Sequence, residues 1–542
     1  MKPLPEFVLT LTLAATALPG QGPAPTCGLP HIFPLPEGEA VTLRRTAHFT
    51  GDRTFKIREN YTSQTLIEVD FYHIHSGTDF DIFAEVGEVE AGRIDTTAAA
   101  LGPFVSAFSE RTFDGSIDPG LGIKAIAEDV FGAPPDIDHN GKITILLIDV
   151  RDDYVPDVSE SYVAGYFDPL DQGQQGNRAD IIYLDTNPGS LSGPQGSIML
   201  AALAHEYQHL IHYNRDRREE LWVNEGLSEL APVLMGLPHR DFALFLDNTN
   251  VSLDSFDGEL ADYARTGLFF LYTWVQLGTG FIRDLIALTE TGVTGFDSAL
   301  ALHGQPALDR FAVQWHLANF IQGAGIKGYG DAFSLPRPTM HEVVTTFPQA
   351  DVGGNVARLG ARWTLISQRR GLGLYLAASR SGERPTLTLL KSPDYTILNA
   401  PFLYSAGFQI DATPIRRRQL VVLATASTVV SDSAGYTLYV AHLDDPMIPP
   451  AAGFFYPNPF NPQTALSPVT RLLTSPGQVV TLRLYDIRGH EVYRLGPRPA
   501  EDNAPLVWNG TLQNGQAAPS GVYFARVGVG ARVFTRKLVL MR

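Results

Sequence analysis

The pattern of apolar and polar residues changes character twice along the chain. Up to about residue 190, short runs alternate or are wholly apolar, as at residues 65–72, 80–83, 143–149 and 181–185, and they predict β-strands. From there to about residue 347, apolar residues recur three and four positions apart, which predicts helices. Short alternating strands then return at regular spacing. The pattern therefore predicts an α+β chain.

Three helices are predicted in the middle region. The first covers residues 198–212, because its apolar residues recur on one side, and residues 192–195, Ser-Gly-Pro-Gln, form the expected capping box. The second covers residues 221–230. The third covers residues 265–278 and is expected to end with Gly278 as its C-cap.

The C-terminal third of the chain predicts two all-β sandwich domains. Residues 351–446 contain regularly spaced short strands, and no catalytic set of residues occurs within them. Residues 452–542 combine alternation with turn dipeptides and predict an Ig-like sandwich. A length of 542 residues leaves room for three or four domains in all.

The N-terminal residues predict export. Residues 1–22 begin with Met-Lys, continue with an apolar run and end with small residues, as a secretory signal peptide does. We expect a linker and β region at residues 23–61. No other apolar run reaches the roughly 18 residues that a transmembrane helix needs, so we expect no membrane span after signal removal.

The charge of the chain limits its classes of binding partner, and its cysteine content limits disulfide formation. The chain has 41 Lys and Arg against 58 Asp and Glu, a formal charge of −17, and no basic run, which argues against nucleic-acid binding. Its one cysteine, Cys27, excludes an intrachain disulfide. We expect Cys27 to be a free thiol near a flexible mature N-terminus, because the residues before it make a poor lipid-attachment site.

The chemistry-bearing residues lie in the first predicted helix. His205 and His209 are four residues apart with Glu206 beside the first, and on a helix both imidazoles face the same side. Two such histidines can hold one zinc ion while the glutamate acts as general base. His212 lies too far along the axis to bind the same ion, and we expect it to be half-exposed.

A catalytic zinc site usually has a third protein ligand. We expect Glu225, on the second helix, to supply it, and Glu229, one turn later, to accept the free ring N–H of His205. Tyr263 lies just before the third helix. Its phenol is a candidate donor to a developing oxyanion, against the alternative of a packing or capping role, and His239 is a weaker rival.

An acidic turn precedes the predicted strand at residues 143–149. Asp136, Asp138 and Asn140 resemble the start of a calcium loop, but Leu147 occupies the position where an EF-hand requires Glu. An EF-hand is therefore excluded. An Asx-rich turn and a non-standard Ca²⁺ site both remain open.

The segments His205-Glu-Tyr-Gln-His209 and Trp222-Val-Asn-Glu225-Gly-Leu-Ser-Glu229 resemble the gluzincin zinc peptidases. The resemblance is greatest to the hyicolysin-like secreted bacterial metallopeptidases, with immune inhibitor A-like peptidases second. It implies a thermolysin-like unit over residues 62–347, with a β-rich N lobe, a zinc-binding helix and a helical C lobe. It also implies Zn²⁺, Glu225 as the third ligand, Glu229 as the outer-shell partner, and protein or peptide substrates.

Residues 455–542 resemble the C-terminal sorting domain of type IX secretion, through Tyr-Pro-Asn-Pro, Tyr-Asp-x-x-Gly and Ser-Gly-Val-Tyr. This resemblance implies the secretion machinery as a partner and a secreted or cell-surface protein of a Gram-negative bacterium. Residues 162–167, just before the zinc helix, are a candidate edge strand for an extended substrate. The alternative is an ordinary buried strand.

Two other classes of function stay open. A surface adhesin would use the β domains and keep the zinc site only as structure. A non-peptidase zinc hydrolase would share the ligands, because the ligands do not define the bond that is broken.

Overall fold

The computed structural model mixes helices and strands, in agreement with an α+β chain. It describes residues 24–32, 42–44, 51–159, 161–325, 328–330, 335–346, 349–368, 372–378, 386–391, 395–398, 407–410, 418–427, 433–442, 469–471, 479–499, 505–529 and 532–541. The predicted signal peptide at residues 1–22 and the Tyr-Pro-Asn-Pro motif at residues 456–459 lie outside these ranges.

The chain divides into two compact units. The first comprises Met1–Asn248 with Leu253–Pro338, and the second comprises Thr249–Ser252 with Thr339–Arg542. The finer domain boundaries of the sequence analysis stay predictions.

The first unit is built on one eight-stranded sheet. Its strands run in the order β1-β7-β8-β6-β5-β4-β2, and β3 pairs with β4. They are β1 Ala24–Cys27, β2 Thr42–Arg44, β3 Arg53–Arg58, β4 Thr65–Ser76, β5 Phe80–Glu85, β6 Ile143–Ile148, β7 Ser161–Tyr166 and β8 Ile181–Asp185. Strands β5, β6 and β8 are parallel. Every residue of β6 is buried, which explains why its sequence is apolar except for Thr144.

Ten helices are described in the same unit. They are α1 Leu29–Ile32, α2 Val86–Glu90, α3 Ala98–Ser109, α4 Ile123–Phe131, α5 Gly193–Arg215, α6 Leu221–Leu234, α7 Ala243–Leu246, α8 Leu260–Ala287, α9 Gly292–Leu302 and α10 Leu308–Ile321. Helix α5 packs on β7 and β8, and α6 lies between α5 and α8. The sheet and α8 thus enclose the two helices that carry the predicted metal ligands.

Three local predictions require correction. Ser192 makes no side-chain cap, because Gly193 takes a left-handed φ of 65° and Pro194 has no N–H to donate. Gly278 does interrupt its helix, with φ 76°, but helical residues resume beyond it. The helices end at Ile321 rather than near residue 347, and Glu342–Val344 is a strand.

Two glycines allow the helices around the predicted metal site to approach closely. A Cβ on Gly226 of α6 would overlap the ring of Phe270 on α8. A Cβ on Gly267 of α8 would lie 3.0 Å from the Cβ of Glu229. Because α6 and α8 meet at these positions, Glu225 and Glu229 are held on a rigid, closely packed element.

The second unit contains the remaining strands. One sheet has the order β10-β17-β12-β15 and another β14-β13-β16-β11-β9, and buried side chains of both belong to one hydrophobic cluster. A further four-stranded sheet, β20-β19-β22-β23, has its own cluster around Trp508, beside the pair β18-β21. The strands are β9 Glu342–Val344, β10 Gln349–Ala357, β11 Ala361–Gln368, β12 Leu372–Ala378, β13 Thr386–Lys391, β14 Thr396–Leu398, β15 Gly407–Ile410, β16 Arg418–Thr425, β17 Ser433–His442, β18 Val469–Arg471, β19 Val479–Tyr485, β20 Glu491–Pro499, β21 Pro505–Val507, β22 Gly521–Val529 and β23 Arg532–Leu540.

Candidate metal centre

Helices α5 and α6 bring two imidazoles and one carboxylate to a common point. The Nε2 atoms of His205 and His209 lie 3.0 Å apart. The carboxylate of Glu225 approaches the same two atoms, Oε2 at 3.3 Å from His205 and Oε1 at 3.5 Å from His209. All three side chains are buried. The sequence prediction named these three residues, and the fold brings them together.

The donor set fits a zinc ion. Tetrahedral zinc with bonds of about 2.0–2.1 Å to nitrogen or oxygen separates its ligand atoms by about 3.4 Å, close to the separations between the three side chains. Neither carboxylate oxygen of Glu225 has a hydrogen-bond donor among the described residues. A buried carboxylate without donors is costly, and a cation at the common point would remove that cost.

Glu206 follows His205 on α5 and faces the same region. It is 1% exposed, and its Oε2 atom has no hydrogen-bond partner in the described structure. Burial raises the pKa of Glu206 to about 7, with a further contribution from Glu225, although His209 opposes the shift. Burial also raises the pKa of Glu225, but His209 and His205 outweigh it and bring the value to about 2. The two carboxylates thus differ in basicity, as a proton acceptor and a ligand should.

The second ring nitrogen of His209 is held by α6. Its Nδ1 atom lies 3.0 Å from Asn224 Oδ1 and 3.0 Å from Ser228 Oγ. Ser228 also donates to Gln208 on α5. An Nδ1–H that donates to Asn224 leaves the Nε2 lone pair facing the metal position. Sequence analysis gave Asn224 and Ser228 no role. Their spacing from Glu225 on the same helix is the signal that was available.

Glu229 faces His205, but a third residue joins them. Glu229 Oε1 lies 3.6 Å from His205 Nδ1, and it accepts a hydrogen bond of 2.6 Å from Arg240 Nη2. The Arg240 guanidinium also lies 4.8 Å from the centre of the Tyr263 ring. Arg240 was missed in the sequence because it follows α6 in a loop without regular spacing.

Tyr263 lies in the first turn of α8 and is fully buried. Its hydroxyl donates to the backbone carbonyl of Cys27 at 3.1 Å. Burial raises the pKa of Tyr263 well above its usual value, with Glu225 adding to the shift, so the phenol keeps its proton. Its rival His239 stacks on Phe242 and its Nδ1 lies 2.8 Å from the carbonyl of Arg240.

Cys27 and His212 differ from the sequence expectations. Cys27 is a free cysteine, as predicted, but it is packed inside the first unit: the residue is 2% exposed and its Sγ lies 3.5 Å from His209 Nε2. Ligand atoms of Cys27, His205, Glu206 and His209 all lie within 4.8 Å of one another. His212 is buried rather than half-exposed, and burial lowers its pKa to about 4. The burial of Cys27 beside His209 and the burial of His212 cannot be predicted from the local sequence pattern.

The predicted edge strand already has partners on both sides. Strand β7 pairs with β8 along one edge and with β1, from the N-terminal segment, along the other. Gly165 of β7 lies against α5, where a Cβ would approach Glu206 Cγ to 3.3 Å. The edge proposed for an extended substrate is therefore next to the general-base candidate, and β1 occupies it.

The acidic turn has a different composition from the one predicted. Carboxylates of Asp136, Asp138 and Asp180 lie within 4.8 Å of one another, whereas the Asn140 amide donates to Asp138 at 2.8 Å. Asp136 also accepts the backbone N–H of Gly141 at 3.0 Å, as in an Asx-type turn. Calcium binding here stays a prediction, and no comparison supports it.

Comparisons with known proteins bear on the class. No protein-family model matches the chain. A neutral metalloprotease, ShpI of Staphylococcus hyicus, is 28% identical over 272 residues, which cover 44% of this chain and 60% of that protein. The chain thus spans less than two thirds of its relative's length.

Solved structures add little. PorZ, a surface component of the type IX secretion system of Porphyromonas gingivalis, is 17% identical, covers 20% of this chain and 14% of its own, and gives a TM-score of 0.15. Dimeric latent PorU from the same organism is 13% identical. The match covers 38% of this chain and 19% of PorU, and it gives a TM-score of 0.17. Scores this low carry no argument.

Among the described residues, no helix is long and apolar enough to cross a membrane. The sequence similarity to ShpI, together with a buried histidine and glutamate cluster, supports a metalloprotease at the level of the family.

Proposed function

We propose that this chain is a secreted zinc endopeptidase that hydrolyses peptide bonds of protein substrates. The observation that carries the proposal is the convergence of His205, His209 and Glu225 at zinc-ligand separations, with Glu206 adjacent. The similarity to a neutral metalloprotease supports the same class.

His205 Nε2, His209 Nε2 and the Glu225 carboxylate would hold the ion. Asn224 and Ser228 orient His209. Glu229, itself neutralised by Arg240, faces the outer nitrogen of His205. These outer contacts fix the ring orientations and increase ligand basicity.

The chemistry that zinc supplies when bound is polarisation of the scissile carbonyl and a lower pKa for the attacking water. Glu206 accepts the proton of that water and passes it to the leaving amine. Tyr263, protonated and buried, donates to the oxyanion that develops on the carbonyl. The edge of β7 beside Glu206 would orient an extended substrate.

Export and the domain organisation of the protein are assigned to segments of the sequence. Residues 1–22 would direct export, residues 62–347 would form the thermolysin-like peptidase, and residues 351–446 and 452–542 would form two β-sandwich domains. The last of these would act as a type IX sorting domain in a Gram-negative bacterium. The sequence motifs are the support for this part.

Zinc content and chelator-sensitive proteolysis test the proposal together. The full chain is assayed for zinc per chain and for hydrolysis of unfolded casein. The assay is repeated after limited proteolysis, which is used to remove the N-terminal segment that occupies the β7 edge. We expect about one zinc per chain and hydrolysis that a chelator abolishes and zinc restores. A chain without zinc would contradict the proposal. Zinc with no hydrolysis after trimming would favour a silent site in an adhesin.

A non-peptidase hydrolase is distinguished by substrate. We expect peptide substrates to be turned over faster than matched esters, because the β7 edge offers backbone hydrogen bonds that only a peptide uses fully. The reverse preference would favour the other hydrolase class.

A further inference from the structure

The N-terminal strand β1 lies along the edge of β7 that an extended substrate would use. Ala24, Pro25, Thr26 and Cys27 pair in parallel with Ser161, Tyr162, Val163 and Gly165. The Thr26 hydroxyl donates to the Tyr162 carbonyl at 2.9 Å, and Gly28 N–H donates to the Gly165 carbonyl at 3.0 Å. The segment is thus bound as an added strand, which is a recurrent way of binding a peptide.

On the side away from β7, two side chains bind the backbone of β1. Arg240 donates to the carbonyl of Pro25, and Tyr263 donates to the carbonyl of Cys27 at 3.1 Å. The phenol proposed for the oxyanion is therefore already engaged. The peptide lies between β7 and these two residues, so no second chain can occupy the same position.

The Cys27 thiol faces the metal position. With bonds of about 2.3 Å to sulfur and about 2.0–2.1 Å to nitrogen, a tetrahedral zinc separates the two ligand atoms by about 3.6 Å. The distance from Cys27 Sγ to His209 Nε2 is 3.5 Å. The Leu29 N–H points at the sulfur from 3.3 Å, as a donor to a thiolate does.

Two carboxylates near the thiol favour a cation at this point. Glu206 Oε2 and both oxygens of Glu225 are buried and have no hydrogen-bond donor in the described structure. A thiolate placed beside two carboxylates would add a further negative charge in a buried site, which is unfavourable unless a cation is bound there. One metal ion between the sulfur, the two imidazoles and Glu225 compensates all of them.

We propose that Cys27 is a fourth protein ligand of the metal and that residues 24–29 hold the peptidase in a latent form. Four protein ligands make a closed site of the structural kind, whereas catalysis needs an open position. The inference rests on the proposed function. The predicted signal cleavage, before residue 23, leaves Cys27 in the exported chain. Displacement of residues 24–29 opens the fourth position and frees Tyr263 and the β7 edge together.

Cobalt substitution tests the ligation directly, and it needs no activity. Because Cys27 is the only cysteine in the chain, any thiolate-to-cobalt charge-transfer band in the near ultraviolet belongs to it. We expect this band in the full wild-type chain loaded with one Co²⁺. The band should vanish in Cys27→Ser, which should still bind one Co²⁺ through the other three ligands.

Two outcomes separate this inference from the proposed function. One Co²⁺ per wild-type chain without a thiolate band would overturn the ligation and leave the zinc site intact. A chain that binds no metal would overturn the proposed function itself. The wild-type spectrum alone decides between them, so a poorly folding variant would not spoil the test.

Activity gives the second measurement. We expect casein hydrolysis by the full chain to rise at least about tenfold in Cys27→Ala, because loss of the sulfur ligand opens the fourth position and removes the bond that anchors residues 24–29 beside the metal. Thr26→Val is the matched control, since it removes only the hydrogen bond to Tyr162 and should raise hydrolysis much less. An equal rise in both variants would show that pairing of β1 with the edge of β7, without sulfur ligation, maintains latency.

Discussion

The two compact units bury different kinds of side chain. Among the described residues, the second unit buries three polar or charged ones, and all three are threonines: Thr249, Thr364 and Thr425. The first unit buries a whole set of histidines and carboxylates between α5, α6 and β7. Buried ionisable groups are costly unless paired, hydrogen-bonded or bound to a metal. The first unit accepts this cost at several places, including the pairs Arg58–Asp168 and Asp262–Arg265, and one of these places is the cluster where the chemistry is proposed.

The largest effect should come from the general base. In a Cys27→Ala background, Glu206→Gln should reduce peptide hydrolysis by about 10²–10⁴-fold, because it removes a positioned proton acceptor. Zinc content should not change, since the amide is isosteric and Glu206 is not among the three expected ligands. Steady-state hydrolysis and zinc analysis of the same preparation check both. Turnover equal to that of the parent would contradict the role.

A somewhat smaller effect is expected at Tyr263. In the same background, Tyr263→Phe should lower kcat by about 10²–10³-fold if its phenol is the only side-chain donor to the oxyanion. Zinc content and KM should change little. A kcat within a few-fold of the parent would assign Tyr263 to packing, in agreement with the alternative left open by the sequence.

A core change in the second unit should affect stability but not the metal site. Leu389→Ala removes a side chain that is 1% exposed within the shared cluster of two sheets, and it should cost about 2–5 kcal/mol of that unit's free energy of unfolding. Denaturant unfolding checks the loss, and zinc affinity is the control. A matching loss of zinc would show that the two units do not behave independently.

The smallest effect should come from the residues behind His209. Asn224→Ala should weaken zinc binding by about 10–100-fold, because His209 loses the acceptor that fixes its tautomer. Competition with a chelator of known affinity measures this change. Asn250→Ala, which alters an amide in the second unit, is the matched control. A zinc affinity equal to the parent's would show that Ser228 alone orients the ring.

Local sequence spacing anticipated what depends on neighbouring residues. The four-residue interval in α5 predicted the shared face of His205 and His209, and the second helix predicted Glu225 next to them. A largely apolar run predicted β6. The capping box was assigned to the wrong helix: it occurs at α8, between Glu259 and Asp262. Side-chain geometry at a helix start depends on φ values that the residue types did not reveal.

Contacts between distant segments could not be anticipated in this way. Cys27 meets His209 across 182 residues of sequence, and no local pattern predicts such an encounter. Arg240 contacts Glu229 only because the loop after α6 turns back toward the helix. The sequence therefore predicted which three side chains meet, while the residues that orient and cover them depend on tertiary structure.

The spacing between α6 and α8 has a consequence for variation in this protein. Gly226 and Gly267 contribute no side chain, and the helices approach through the space that this leaves. Neither glycine is among the expected metal ligands, yet any larger residue there would push Glu225 or Glu229 out of register with α5. Substitutions at these two glycines are thus expected to disturb the metal centre although neither residue binds the metal. We therefore expect a residue larger than glycine at either position to disturb the separation of α6 from α8 and with it the metal geometry.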